Sequence, residues 1–224
     1  MAGCNCIDVS EHNGNINWEA VRNDGVEYAL IRCGFGQDIE SQDDKFFHIN
    51  MENALNAGLK VGVYFYSYAD SGDKAAGEAE HCLRLISGYK DKLSLPVFYD
   101  LEEDKNKANI YDIYTMFAGI LNEAGYNVGC YANQYWYDTV LKPVPIDYTW
   151  VAKWDNHQPE WGVNIWQFTG TGHCAGVVGN VDCDVVIDPN MQAIIPVPEN
   201  DTVNITVKVE APENVKVNIN VERG

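Results

Sequence analysis

Between Cys4 and Tyr131, five short and nearly unbroken apolar runs alternate with segments of helical periodicity, and this alternation constrains the fold more than any other feature. The runs are Cys4 to Val9, Tyr28 to Cys33, Lys60 to Tyr68, Leu93 to Tyr99 and Tyr126 to Tyr131. Helical segments are predicted at Asn17 to Arg22, from Asp44 to about Ala57, from Asp73 to Ser87, and from Ile110 to Ala124. Asn17 and Asp44 stand where N-caps belong, and Gly25, Gly58 and Gly125 where helices stop. Strands that are apolar on both faces need cover on both faces, so the pattern predicts a parallel sheet wrapped by helices, for which a barrel is the natural closure. Beyond Leu141 the helices thin out, and Tyr148 to Ala152 and Val163 to Phe168 read as strands joined by loops. The expected class is therefore α/β: an irregular (β/α) TIM-like barrel with reduced helices in its C-terminal part, not a regular eight-fold one. Such barrels build their sites at the carboxyl ends of the strands.

Pro196 to Asp201 reads as a linker that closes a domain of residues 1–195. After it, Val203, Ile205, Val207 and Val209 alternate with polar residues, Pro212-Glu213-Asn214 marks a turn, and alternation resumes to Val221. A β-hairpin extension over 202–224 is expected. A lone two-stranded ribbon is marginal in water. Its apolar face calls for cover from the main domain, from a second copy of the chain, making a homo-oligomer through 202–224, or from a further wall-binding module, and the last two are favoured because the main domain already reads as complete.

The chain has 224 residues, and 15 Lys plus Arg against 33 Asp plus Glu leave a net charge of −18. Phosphate backbones need clustered positive charge, so nucleic acid is excluded as a partner. The seven cysteines and five histidines show no ligand spacing, and Cys4-Asn5-Cys6 lacks the two-residue spacer of metal and redox motifs. No metal and no cofactor are expected. No apolar run reaches the length of a membrane span, so membrane insertion is not expected either. Met1-Ala2-Gly3 runs directly into the first strand without the parts of a signal peptide. The expectation is synthesis in the cytosol, with phage-holin release or another export route if the target lies outside.

Asp100-Leu101-Glu102 follows the fourth apolar run. Residues two apart on a strand project from one face, so two carboxyl groups would stand roughly 7 Å apart at their base and point the same way. Partly screened from water, they cannot both ionise freely, and one can hold a proton near neutral pH while the other stays charged. That is what acid-assisted glycoside cleavage requires. A solvated loop entry would carry the same three residues, so the pair alone does not decide.

Ile7-Asp8-Val9-Ser10-Glu11-His12-Asn13-Gly14, Asn17-Trp18, Ala57 to Tyr64, Asp100-Leu101-Glu102, Trp166-Gln167 and Gly179-Asn180-Val181-Asp182 follow one another along the chain. In this order the chain, over roughly residues 4 to 190, resembles glycoside hydrolase family 25, lysozymes of the N-acetylmuramidase type found in phage endolysins and bacterial autolysins. The resemblance implies cleavage of the β-1,4 bond between N-acetylmuramic acid and N-acetylglucosamine in peptidoglycan glycan strands. It implies Glu102 as general acid, Asp100 as its charged partner, and Asp8 and Asp182 completing the acidic cluster. Whether Asp100 attacks carbon, activates water or orients the substrate's acetamido group depends on carboxyl separations that sequence spacing does not give. Where the family often has Tyr-His-Phe, this chain has Tyr64-Phe65-Tyr66, a departure that is expected to alter subsite contacts at Tyr66.

Flat rings suit the apolar faces of sugars. Tyr64, Tyr66, Tyr131 and Trp166 are the expected substrate contacts, with Gln167 placed to bond an acetamido group or to pin its loop. A non-catalytic wall- or chitin-binding module on the same scaffold is the competing reading. Loss of a carboxylate would favour that reading, and all four are present.

Overall fold

The computed structural model describes residues 3–195. The expected linker 196–201 and hairpin 202–224 lie outside the described residues. Eight strands close into one barrel in chain order: β1 (Cys6–Val9), β2 (Tyr28–Phe35), β3 (Lys60–Tyr66), β4 (Leu93–Asp100), β5 (Val128–Asn133), β6 (Tyr148–Ala152), β7 (Ile165–Gly172) and β8 (Val181–Val186). Strands β1 to β7 run parallel, and β8 is antiparallel to both β7 and β1. The helices are α1 (Trp18–Asn23), α2 (Phe47–Asn56), α3 (Gly72–Ile86), α4 (Ile110–Glu123) and the short α5 (Gln134–Thr139). Among the described residues no α-helix joins β6 to β7 or β7 to β8. The barrel is therefore closed, yet irregular in its C-terminal part.

Local chemistry sets these boundaries. The Asn17 side chain accepts from Ala20 N–H to start α1, and Ser71 accepts from Lys74 N–H to start α3. Gly58 and Gly125, at φ of 81° and 87°, turn the chain left-handed just after α2 and α4. Asp44 does not cap α2 itself. Its carboxylate accepts from the N–H groups of Phe46 and Glu11 and from Arg32 Nε, and the helix begins at Phe47.

Strand parity divides the apolar side chains into two cores. Ile7, Ile31, Val63, Phe65, Val97 and Tyr99 point outward against Phe47, Met51, Cys82, Leu85, Phe117 and Leu121 of the helices. Cys6, Leu30, Leu95, Phe98, Trp150 and Ile165 fill the lumen. Gly129 gives the Phe98 ring its place there: a Cβ at 129 would lie 2.5 Å from Phe98 Cε1 and 2.8 Å from the Tyr148 carbonyl oxygen. Gly129→Ala is expected to destabilise the fold by about 1–3 kcal/mol, the usual cost of overpacking. Urea unfolding of the two proteins measures it, and an unchanged midpoint would contradict this packing.

The lumen plug leaves the carboxyl ends of the strands open above it. No helix of the described residues is long and apolar enough to cross a membrane.

Candidate active site

Register carries the site across the sheet. Tyr66 pairs with Asp100, Asp100 with Tyr131, and Tyr131 with Trp150, so one row of inward-facing side chains crosses β3 to β6 at their carboxyl ends. On the other side of the barrel, Asp8 of β1 stands directly opposite Asp182 of β8. These residues line a cleft of about 350 Å³ together with Ser10, His12, Arg32, Tyr64, Glu102, Trp154 and Gln167. A second compartment of about 480 Å³ shares His12, Arg32 and Tyr66 with it and is walled by Phe35, Tyr68 and Glu11. The carboxyl groups belong to the first.

All four carboxyls expected from the sequence meet in this cleft. Asp8 and Asp100 are buried, Asp182 is half-buried, and Glu102, two residues past the end of β4, reaches solvent at the mouth. Burial pushes the Asp8 carboxyl up to about 8, with repulsion from Asp182 and Glu102 adding and hydrogen bonds to Gln167 and Asp184 opposing. Burial also holds Asp100 well above the carboxylate range, aided by Glu102 and Asp8 and opposed by Arg32. Glu102 is raised by desolvation and by the charges of Glu103 and Asp182, opposed by the nearby Tyr66 hydroxyl, whose proton is donated to Glu103 Oε1 at 2.7 Å. Burial raises Asp182 too. Arg32, the guanidinium on the cleft wall, is itself held by Asp44 at 2.9 Å and Glu11 at 3.5 Å. So the cluster retains protons where isolated carboxyls would have lost them.

A fifth carboxyl, Asp184, was not expected. It is fully buried on β8, accepts from Trp150 Nε1 at 2.7 Å, and is held well above its ordinary range by burial and by Asp8. Its signal was present: Asp182 and Asp184 are two apart on one strand, the spacing that singled out Asp100 and Glu102.

Gln167 ties the cleft together. Its Nε2 donates to Asp8 Oδ2 at 2.9 Å, and its Oε1 accepts from Tyr131 OH at 3.0 Å and Trp154 Nε1 at 3.1 Å. Tyr64, Tyr66 and Tyr131 line the cleft as expected. Trp166 does not. Its neighbour Gln167 points inward, so strand alternation turns Trp166 outward, where it is 4% exposed and packs on Val151 and Val163. Its indole N–H donates to the Lys153 carbonyl. Where no helix covers β6 and β7, a large ring closes the gap. The exposed indole at the cleft mouth is Trp154, 68% accessible, and Gly170 leaves it room: a Cβ there would lie 2.8 Å from the Trp154 ring and 3.0 Å from Asp182 Oδ1.

Trp154→Ala is expected to raise KM roughly fivefold, the worth of about 1 kcal/mol of ring contact. Trp166→Ala is expected to leave KM unchanged and to lower stability by about 3–5 kcal/mol. Steady-state kinetics beside thermal unfolding separate the two, and the reverse pattern would contradict the placement. Among the described residues, no group of three or more His, Cys, Asp or Glu side chains is arranged to hold a metal ion.

The sequence profile of glycosyl hydrolases family 25 matches residues 7–177, a span that contains Asp8, Asp100 and Glu102. The chain belongs to family 25 of the glycosyl hydrolases. Lysozyme M1 of Streptomyces globisporus is 28% identical over 205 residues, covering 81% of this family-25 hydrolase and 67% of the relative. The autolytic lysozyme of Clostridium acetobutylicum is 27% identical over 200 residues, covering 82% and 59% respectively. The modular autolysin LytC from Streptococcus pneumoniae, solved in complex with a synthetic peptidoglycan ligand, superposes with a TM-score of 0.68 at 29% identity, covering 80% of this chain and 45% of LytC. The family-25 chain thus spans between about half and two thirds of the length of these proteins.

Proposed function

We propose that this hydrolase cleaves the β-1,4 bond between N-acetylmuramic acid and N-acetylglucosamine in peptidoglycan, with Glu102 as general acid and Asp100 as its charged partner. The observation that carries the reading is the meeting of Asp8, Asp100, Glu102 and Asp182 in one cleft at the carboxyl end of the barrel. Lysozymes among its relatives, and a peptidoglycan ligand on one of them, support the choice of polymer.

Glu102, at the mouth, is placed to reach a glycosidic oxygen lying across the cleft, and its raised proton affinity keeps a proton ready for the departing sugar. Asp100 lies deeper. Its buried Oδ1 has no hydrogen-bond partner among the described residues, so it is free for a polar group of the substrate. Positive charge developing at the anomeric carbon favours the ionised form of Asp100. The stabilisation is then larger in the transition state than in the free site. Gln167 is already bonded to Asp8, Tyr131 and Trp154, which fits a role in setting the cleft's shape.

Residues 1–195 act as the catalytic barrel in this reading, and the cell wall is where the enzyme works. The bond itself is testable: digested peptidoglycan is reduced with borohydride and the new sugar alcohol identified. Muramitol is the expected product, and glucosaminitol would reject the assigned bond.

A further inference from the structure

Glu102 stands outside regular structure. Strand β4 ends at Asp100, and Leu101 to Glu103, outside regular structure, connect it to the 3-10 turn Asp104–Asn109. A proton donor on such a segment needs an anchor, since misplacement by about 1 Å costs on the order of a hundredfold in rate. The anchor is polar and buried. Leu101 N–H donates to the Tyr131 carbonyl at 3.0 Å, and Glu103 N–H donates to Asn106 Oδ1 at 3.0 Å. Asn106 is fully buried, and its Nδ2 donates to the Ala69 carbonyl at 2.7 Å, with Ser67 Oγ at 3.4 Å. One amide therefore clamps the segment carrying Glu102 to the loop that follows β3.

That loop is fixed in turn from behind the sheet. Glu78 of α3 is fully buried, and its carboxylate accepts from Tyr68 N–H at 2.8 Å, Ser67 Oγ at 2.8 Å and Tyr99 OH at 2.5 Å. Tyr99 directly precedes Asp100 and lies on the outer face of β4, stacked on Phe117 at 3.8 Å. Ser67 N–H donates to the Asp100 carbonyl at 3.0 Å. The network therefore touches the chain immediately beside Tyr66, Asp100 and Glu102. It sits in the mainly apolar layer between the helices and the sheet, where packing alone would be met by a hydrophobic residue; a buried, fully bonded carboxylate there instead fixes one conformation.

The geometry points to Glu78 and Asn106 as positioning residues for the proton donor, acting through the 67–69 loop and the 101–106 segment. The inference rests on the reading of Glu102 as the general acid. Neither residue lines the catalytic cleft.

The test uses the full chain and two substrates with the same glycone: a soluble peptidoglycan oligosaccharide, whose sugar leaving group needs a proton, and a 2,4-dinitrophenyl glycoside, whose leaving group departs without one. Asn106→Ala and Glu78→Gln are expected to lower kcat on the oligosaccharide at least tenfold, with KM and the aryl-glycoside rate each within twofold of the parent. Equal losses on both substrates would mean general structural damage and overturn the proposal, as would a loss below twofold on the oligosaccharide. Asn106→Asp keeps the acceptor for Glu103 N–H and removes the donor to Ala69, so it carries the test if Asn106→Ala does not fold. Glu102→Gln run alongside keeps the two readings apart. If it shows no leaving-group dependence, the general-acid assignment itself fails; if it does and the positioning variants do not, the positioning role alone fails.

Discussion

Glu102→Gln is expected to slow the clearing of purified cell walls at least a hundredfold while moving the unfolding temperature by no more than about 2 °C. General acid catalysis supplies about 10² to 10⁴ in rate, and glutamine keeps the size and polarity of the side chain without a transferable proton. Because Glu102 reaches solvent at the cleft mouth, the substitution buries no unpaired group, and surface changes of this kind have small effects on stability. Binding of the polymer should survive, so the loss belongs to kcat. Turbidity of wall suspensions and release of reducing ends measure the same event in two ways. Equal clearing by both proteins would remove Glu102 from the mechanism.

Asp8→Asn, by contrast, should change stability, and in a pH-dependent way. The Asp8 carboxyl titrates near 8 in the folded protein against an ordinary value of 3.8. Below pH 4 both folded and unfolded chains hold that proton, and the group favours neither. As pH rises toward 8 the unfolded chain gives up the proton while the folded chain resists, so folding stability falls through this window. Asp100 and Asp184, both held well above their ordinary range, push in the same direction. An asparagine side chain in place of Asp8 would remain neutral throughout and would keep an oxygen for Gln167 Nε2. One unit of pKa corresponds to about 1.4 kcal/mol, and in a chain of this size 1 kcal/mol moves the midpoint by about 2–4 °C. Asp8→Asn is therefore expected to raise Tm by at least about 5 °C at pH 8, to change it little at pH 4, and to lose wall-clearing activity. Calorimetry at pH 4, 6 and 8 provides the comparison. A variant less stable than its parent at pH 8 would mean that Asp8 is held as a favourable anion. The acidic cluster is, on this account, a place where the fold gives up stability for chemistry.

The first five strands and helices α2 to α4 were legible because each is long enough to show its own period, and the six-residue α1 because Asn17 caps it and Gly25 follows it. Gly58 and Gly125 ended their helices, and β6 fell on the expected Tyr148 to Ala152. Strand β8 was not legible as a strand, because its inward positions hold Asp182 and Asp184 where a buried strand ordinarily shows apolar residues. Helix α5 has six residues and an asparagine N-cap, Asn133, as α1 has Asn17, but no glycine follows it to mark an end. At the site, Asp8, Asp100, Glu102, Asp182, Tyr64, Tyr66, Tyr131 and Gln167 all reached one cleft. Trp166 failed on parity: of two adjacent strand residues only one can face the lumen, and hydrogen bonding to Asp8 gave that position to Gln167. Trp154 lies beyond the end of β6, where no period governs direction, so only the folded chain could bring it to the cleft mouth.

Folding keeps a proton on Glu102 at pH values where a free glutamate has lost it. Selective ¹³C labelling of glutamate side chains, with the Glu102 resonance assigned by its loss in Glu102→Gln, lets the carboxyl be titrated directly by NMR. The expected midpoint lies above the ordinary 4.5, and falls in Glu103→Gln as the neighbouring charge is removed. A midpoint at or below 4.5 would contradict the claim.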